Sequence, residues 1–159
     1  MHPSFELFQK LKGGVSMHPS FELFQKLQRL YDQVCKRFCR KEGIPQTSFD
    51  ILMFLANNPS YKTARDIVEV RGLKANLVSI HLDRLEQEGY LTRSAVTGDR
   101  RKRELHLTEK AQPIIRAGRE MQQHFFDALD ENVTQAQKDT ILAVLETMNQ
   151  NIDQLLEEK

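Results

Sequence analysis

The sequence predicts a mainly helical protein that carries one small antiparallel β-hairpin. From about residue 20 onward, apolar residues recur at the three- and four-residue spacing of amphipathic helices. One pair of short segments, at about 90–94 and 102–107, has a strand-like pattern and is separated by a turn that contains Gly98. A chain of 159 residues is most simply one domain with a sizeable core.

The composition excludes several classes of protein. No apolar run approaches the roughly 20 residues that span a bilayer, and the first residues lack the basic-then-apolar plan of a secretory signal. The 2 cysteines are too few for a disulfide framework, so we expect a cytoplasmic protein without a membrane partner. The sequence contains no nucleophile elbow, phosphate-binding loop or paired-carboxylate motif. We therefore predict no enzymatic activity, no cofactor and no metal site.

The chain begins with an internal duplication. The segment MHPSFELFQKL occupies residues 1–11 and recurs unchanged at 17–27, with KGGVS between the copies. Two copies of so short a unit do not make a solenoid repeat. We interpret Met17 as the natural start and residues 1–16 as an added leader or cloning remnant. The alternative is a functional extension whose first copy competes with the second for the same docking groove.

A long helix is predicted from Ser20, as its N-cap, to about Glu42, where Gly43 and Pro45 end it. Its apolar residues are spaced 3, 4, 3 and 4 apart, which is the pattern of helices that pack lengthwise on one another. They are Phe24, Leu27, Tyr31, Val34 and Phe38.

Three shorter helices follow this one. Thr47 with Asp50 is expected to open the first of them. Thr63 with Asp66 is expected to open the second, which ends at Gly72. The third helix then follows at about 74–88.

The third helix has two contrasting faces. Val78, Leu82 and Leu85 should turn toward the core. The opposite face consists of Asn76, Ser79, Ile80, Asp83 and Gln87. Two short helices joined by a glycine turn predict a helix-turn-helix, in which the N-terminal part of the second helix enters the major groove of DNA. A short amphipathic helix that binds nothing is the alternative.

The side chains at the start of this helix suit base recognition. Asn76 can pair with an adenine edge, and Ser79 can bond a base or a phosphate. Ile80 can contact a thymine methyl group. Asp83 would repel phosphate unless a base or Arg84 engages it.

The predicted hairpin is strongly basic. Its turn lies at Thr97-Gly98-Asp99, and the DRRKR segment at 99–103 forms its tip and the start of the returning strand. Arginine there suits a narrow minor groove or the flanking phosphates. Residues 62–103 hold ten Lys or Arg against six Asp or Glu, whereas residues 108–159 hold five against ten. We therefore expect only the middle of the chain to face a polyanion, with a solvated run of charge as the alternative.

Two helices are predicted at the end of the chain. The first starts at Thr108 or Gln112 and runs to Asn132, and Thr134 with Gln137 forms the capping box of the second. The second helix carries an apolar stripe at spacings of 4, 3, 4 and 3, formed by Ile141, Leu145, Met148, Ile152 and Leu155. This stripe and that of the first long helix can pack on each other within one chain.

The segments LVSIHLDRLEQEGYLTR (77–93) and TGDRRKRELHLTEKA (97–111) resemble the MarR family of bacterial winged-helix regulators. The family pattern is a recognition helix ending in D-R-L-E-x-x-G, a strand ending in Arg, a wing bearing D-R-R and a strand running into L-T-x-x-G. The resemblance in element order spans about Ser20 to Leu156. There are departures from the pattern at four positions, which are Ile80, His81, Ala111 and Pro113.

The resemblance implies a winged helix-turn-helix that binds double-stranded DNA as a homodimer. Its parts are an N-terminal dimerisation helix at 17–46, a DNA-binding lobe at 47–107 and C-terminal dimerisation helices at 108–159. The implied DNA contacts are Lys74, Asn76, Leu77, Ser79, Ile80, Arg84, Arg100 and Arg101. Asp99 and Arg93 are implied to orient the wing. A small-molecule effector is implied between the dimerisation helices and the DNA-binding lobe.

The sequence therefore predicts a sequence-specific transcriptional regulator, in the form of a ligand-responsive repressor of a near-palindromic operator. One alternative is a redox-sensing regulator of the same fold that uses Cys35 and Cys39, which lie four residues apart on the first helix. Buried thiols are the commoner outcome for such a pair, and a disulfide along one helical face is strained. The other alternative is a winged-helix interaction dimer without specific DNA binding.

Overall fold

The structure of the protein is a computed structural model, which describes the backbone of residues 19–96 and 99–157 and the side chains of residues 21–95 and 103–157. Six α-helices and two strands lie within these ranges. They are α1 (Pro19–Glu42), α2 (Gln46–Asn57), α3 (Ala64–Arg71), α4 (Ala75–Gln87), β1 (Leu91–Val96), β2 (Asp99–Leu107), α5 (Gln112–Leu129) and α6 (Gln135–Glu157). This order confirms the predicted class, a mainly helical protein with one small antiparallel sheet. Residues 1–16, which we interpreted as an added leader, lie outside the described residues.

The predicted N-caps of the first two helices lie inside those helices. Ser20 is helical in α1, which the structure describes from Pro19 onward. α2 begins at Gln46 and has Pro45 as its N-cap, with no side-chain cap hydrogen bond, so Thr47 is already helical. The fixed φ of Pro45, −60°, sets the direction in which the chain enters α2.

The predicted ends of α3 are confirmed. Thr63 Oγ1 accepts from the backbone N–H of Asp66, and the Asp66 carboxylate accepts from the backbone N–H of Thr63 at 2.8 Å. This reciprocal capping box satisfies two donors that the first turn would otherwise leave open. At the other end, Gly72 has φ 75°, a left-handed conformation that only glycine adopts without strain. It turns the chain into α4.

β1 and β2 form an antiparallel hairpin in which Leu91 lies opposite Leu107. The strands are longer than predicted, because backbone pairing needs no apolar side chain and continues to Val96 opposite Asp99. Asp99 therefore lies in β2 and not in the turn, while Thr97 and Gly98 lie outside the described residues. The N–H of Leu105 donates to the carbonyl oxygen of Lys62 at 2.7 Å, which ties the hairpin to the loop before α3.

The chain divides into two compact units, Met1–Gln122 and Gln123–Lys159. The core of the first unit contains apolar residues from α1 to the start of α5, with the most deeply buried large side chains at Phe49, Ile51, Leu52, Ile67, Leu85, Leu91 and Ile115. Gly118 is part of this core, because a Cβ built there would lie 2.7 Å from the Phe49 ring and 2.8 Å from Met53 Sδ. A side chain at this position would therefore push α5 away from α2.

The C-terminal helices begin as predicted but the first one ends early. A 3-10 turn at Glu109–Ala111 precedes α5, so Pro113 falls in the first turn of the helix, where proline is tolerated. α5 ends at Leu129 and not at Asn132, which adopts a positive φ of 64°. The capping box of α6 is confirmed, since Thr134 N donates to Gln137 Oε1 at 2.9 Å and Gln137 N donates to Thr134 Oγ1.

α6 buries none of its residues. Every residue of its predicted apolar stripe is more than half exposed: Ile141, Leu145, Met148, Ile152 and Leu155. Among the described residues, no helix is both long enough and apolar enough to cross a membrane.

Candidate nucleic-acid interface

The two faces of α4 are separated as the sequence predicts. Val78, Leu82 and Leu85 are buried in the core of the lobe. The predicted outward face is exposed at every position: Asn76, Ser79, Ile80, Asp83 and Gln87. Ile80 is 61% exposed, so α4 places a large apolar side chain in solvent between residues that can form hydrogen bonds. Such a mixed surface can contact base edges, because they present both polar groups and thymine methyls.

The predicted DNA contacts at the start of α4 lie on adjoining exposed positions. Lys74 is the N-cap, in an extended conformation without a side-chain cap hydrogen bond. Leu77 is 38% exposed and extends the apolar part of the surface beside Ile80. The first two turns of α4 therefore bring together the residues that the family resemblance assigned to the groove.

Arg93 of β1 is joined to the outward face of α4. Its Nη2 lies 2.7 Å from Asp83 Oδ1 and its Nη1 lies 3.2 Å from Glu86 Oε2. The Arg93 side chain is 26% exposed, which makes this pair of contacts less screened than a fully exposed ion pair. The guanidinium offsets the two acidic charges of α4 and fixes the strand against the helix. This pairing was not predicted from the sequence, from which we expected a DNA base or Arg84 to engage Asp83.

Arg84 forms an ion pair with Glu88, whereas the sequence suggested Asp83 as its partner. Its Nε lies 2.8 Å from Glu88 Oε1, one helical turn further along α4. Both side chains are substantially exposed, so the pair is weak and the guanidinium stays accessible.

A second contact missed by sequence reasoning joins α4 to α2. Ser48 Oγ lies 2.9 Å from His81 Nδ1, and Ser48 is fully buried while His81 is half-buried. A buried hydroxyl without a partner would destabilise the fold, and this hydrogen bond satisfies it. Because the bond joins α4 to α2, it also restrains the rotation of α4 against α2. The spacing of 33 residues hides the pair from any local pattern.

The hairpin and the two helices of the motif enclose one concave surface. Its volume is about 930 Å³, and its lining includes Ser79 and Asp83 of α4 with Arg93 and Arg103 of the strands. Arg103 lies on the returning strand, on which the side chains of Asp99, Arg100 and Arg101 fall outside the described residues. The predicted roles of these three residues therefore stay predictions.

The two cysteines are buried and unoxidised. Cys35 is 1% exposed and Cys39 is 5% exposed, and no disulfide joins them. Burial raises the pKa of the Cys35 thiol, and it raises the pKa of the Cys39 thiol to about 11. Since the thiolate is the reactive form, both effects oppose oxidation. Within the described chain, no group of three or more His, Cys, Asp or Glu residues could hold a metal ion.

Comparison with known proteins agrees with this geometry. The family model described as "MarR family" matches residues 42–102, from the end of α1 into β2. Over this segment, which is less than half of the chain, the sequence is similar to the MarR family. An HTH-type transcriptional regulator of Bacillus subtilis strain 168, YwhA, which is described as uncharacterized, is 31% identical over 88 residues. That alignment covers 55% of this chain and 63% of YwhA, which is less than two thirds of the relative's length.

Solved structures of MarR-family proteins share the fold. A MarR transcriptional regulator of Methanosarcina mazei Go1 is 20% identical and superposes with a TM-score of 0.71, covering 84% of this chain and 96% of that one. A MarR protein of Peptoclostridium difficile is 16% identical with a TM-score of 0.76, covering 92% and 95%. A MarR-family regulator of Listeria monocytogenes, solved in complex with a 26mer DNA, is 15% identical with a TM-score of 0.74, covering 86% and 90%. These likenesses confirm the winged-helix fold.

Proposed function

We propose that this protein is a sequence-specific DNA-binding transcriptional regulator that reads the major groove with α4. The observation that carries the proposal is the exposed outward face of that helix, which presents Asn76, Ser79 and Ile80 to solvent. The fold supports it, as does the related Listeria regulator that was solved with DNA. Such a protein would act in the cytoplasm, where a bacterial chromosome is accessible.

The contacts of Arg93 reduce the repulsion between the acidic residues of α4 and the phosphates of DNA. Asp83 and Glu86 would repel phosphates if they were unpaired. Their carboxylates instead lie within 2.7 and 3.2 Å of one guanidinium. Arg93 thus acts as a positioning residue that presents α4 and the hairpin as one surface, while Arg100 and Arg101 are proposed to reach a minor groove or its phosphates.

A homodimer formed by residues 17–46 and 108–159 would complete this arrangement. α6 carries an exposed apolar stripe and four acidic residues against one lysine, whereas α1 carries six basic residues against three acidic ones. The apolar stripe and the opposite charges of the two helices suit pairing between two copies. Two-fold symmetry would place the two α4 helices about one turn of DNA apart, so the operator is expected to be near-palindromic.

Repression that responds to a small molecule is the regulatory form we propose. An effector that binds the dimer more tightly in a DNA-free arrangement than in the DNA-bound one must weaken operator binding by the same factor. This proposed response can be tested by screening a panel of small molecules for release of a bound operator fragment from the protein. If no effector exists, the DNA-binding proposal is unaffected.

Salt-titrated binding tests the main proposal. The logarithm of the affinity for a DNA fragment should fall linearly with the logarithm of the salt concentration. Arg100→Ala with Arg101→Ala should reduce the magnitude of that slope by about 1.8, or about 0.9 for each lost phosphate contact. Arg40→Ala with Lys41→Ala removes the same charge from α1 and should leave the slope unchanged, provided that size-exclusion chromatography shows the variant to be dimeric. Affinity that ignores both salt and the wing arginines would favour a protein-interaction dimer instead.

A further inference from the structure

Position 81 is one of the places where this chain departs from the family pattern, and the structure gives its side chain a specific partner. His81 Nδ1 lies 2.9 Å from the hydroxyl oxygen of Ser48, near the start of α2. Ser48 is fully buried, whereas His81 keeps part of its surface in contact with solvent. One ring nitrogen of a residue on the DNA-facing helix is therefore held from inside the protein.

With Ser48 Oγ as the donor, this hydrogen bond leaves the proton of the neutral His81 ring on its other nitrogen. A buried hydroxyl must donate its proton to an acceptor, and Nδ1 is the acceptor within reach of Ser48 Oγ. When Nδ1 accepts, the neutral imidazole carries its proton on Nε2. The Nε2–H is then a donor, and the Ser48 contact fixes the orientation of the ring that bears it.

The location of His81 on α4 indicates what this donor can reach. Taking Val78 as the centre of the buried face, His81 lies at its edge, on the side of Leu77 and away from the central outward residues Asn76 and Ile80. In a helix that enters the major groove, central residues meet the bases and flanking residues meet the sugar-phosphate backbone. The chemical group that suits a lone N–H donor at the flank is a phosphate oxygen.

We propose that His81 is a DNA contact of this chain, whose Nε2–H donates to a backbone phosphate while Ser48 holds its Nδ1. The proposal rests on the DNA-binding function proposed above. Ser48 is a positioning residue in it, because it acts on the DNA through His81.

Two isosteric substitutions separate the two nitrogens of His81. An asparagine amide can occupy the place of Nδ1, so His81→Asn keeps the bond to Ser48 and loses the outward donor. A glutamine amide can occupy the place of Nε2, so His81→Gln keeps the outward donor. Binding of each variant to a selected operator fragment is measured by fluorescence anisotropy over a range of salt concentrations, and urea unfolding checks that each variant is folded.

The expected result is a selective loss of affinity. His81→Asn and His81→Ala should bind about tenfold more weakly, which is the effect of losing a hydrogen bond to a charged acceptor. His81→Gln should stay within about threefold. Ser48→Ala should weaken binding in the presence of His81 and cause no further loss in the His81→Ala background, which a merely structural role would not produce.

Two results would overturn the inference. One is unchanged affinity in folded His81→Ala while Arg100→Ala with Arg101→Ala flattens the salt slope, which leaves the proposed function intact. The other is an equal loss from Ser48→Ala with and without His81, which would mean that Ser48 acts on the fold alone. Failure of the unmodified protein to bind any DNA fragment would overturn the proposed function and this inference together.

Discussion

Arg93 and Asp83 lie 2.7 Å apart and join the first strand of the hairpin to the outward face of α4. The two residues are separated by a helix end and a turn at Gly89, where φ is 77°. The same guanidinium reaches Glu86. One side chain therefore holds the two elements that the proposed function requires to approach DNA together.

The coupling between Arg93 and Asp83 can be measured with a double-mutant cycle. Arg93→Ala, Asp83→Ala and the double variant should show a coupling energy of about 0.5–1 kcal/mol in the free energy of unfolding, as expected for a partly screened ion pair. Arg93→Ala should also weaken operator binding, because Asp83 and Glu86 then face phosphate unpaired. If the effects of the two single substitutions add in both unfolding and operator binding, the contact does not hold the strand against α4.

Ile80 and Leu82 lie two residues apart on α4 and should respond oppositely to truncation. Leu82→Ala removes a buried side chain and should lower the free energy of unfolding by about 2–5 kcal/mol. Ile80→Ala removes an exposed one and should change it by less than about 0.5 kcal/mol. Operator binding of Ile80→Ala should nevertheless weaken by up to about tenfold, through loss of apolar contact with DNA. Unchanged binding would remove Ile80 from the interface.

The burial of Cys35 and Cys39 predicts slow thiol chemistry. A maleimide at pH 7 should modify the folded protein far more slowly than the urea-unfolded one, because burial blocks access and raises both pKa values. Peroxide at concentrations that leave the fold intact should not release DNA. Rapid modification in the folded state, with release blocked by Cys35→Ser or Cys39→Ser, would instead support redox sensing.

Asp50 predicts a dependence of stability on pH. Burial raises the pKa of its carboxyl, and this outweighs the opposing effect of Arg71, whose Nη2 lies 3.5 Å away. A group with a raised folded pKa favours the fold while it is protonated, and that contribution is lost as the pH rises through the folded pKa. Asp50→Asn should therefore raise the free energy of unfolding at pH 7 and give little gain at pH 3.

Urea titrations at the two pH values measure this difference. Asp139→Asn on the exposed surface of α6 controls for the change in net charge. A stabilisation by Asp50→Asn that is equal at both pH values would contradict the assignment to the Asp50 carboxyl.

Local patterns in the sequence were sufficient for most of the fold. The capping boxes at Thr63 and Thr134, the glycine turn at Gly72 and the buried face of α4 are all determined by residues within about four positions of each other, so the sequence predicts them. The N-cap of α2 was predicted two residues late, at Thr47, because Pro45 sets the chain direction without any side-chain cap. The extent of β2 was missed because backbone pairing continues through charged residues.

The contacts that organise the candidate site could not be predicted from local sequence patterns. Ser48 meets His81 across 33 residues, and the N–H of Leu105 meets the carbonyl of Lys62 across the helix-turn-helix. Such pairs depend on how helices pack and not on local spacing. The sequence predicted which residues of α4 face outward, but it did not predict what holds that helix in place.

Selection of bound sequences from a random pool of double-stranded DNA tests the central claim most directly. We expect enrichment of a near-palindromic motif whose half-sites are centred about 10 base pairs apart. Arg100→Ala with Arg101→Ala should reduce the enrichment, whereas Arg40→Ala with Lys41→Ala should recover the same motif, provided that this variant is still dimeric. A pool that shows no enriched motif after selection with the folded protein would contradict the assignment of this chain as a sequence-specific DNA-binding regulator.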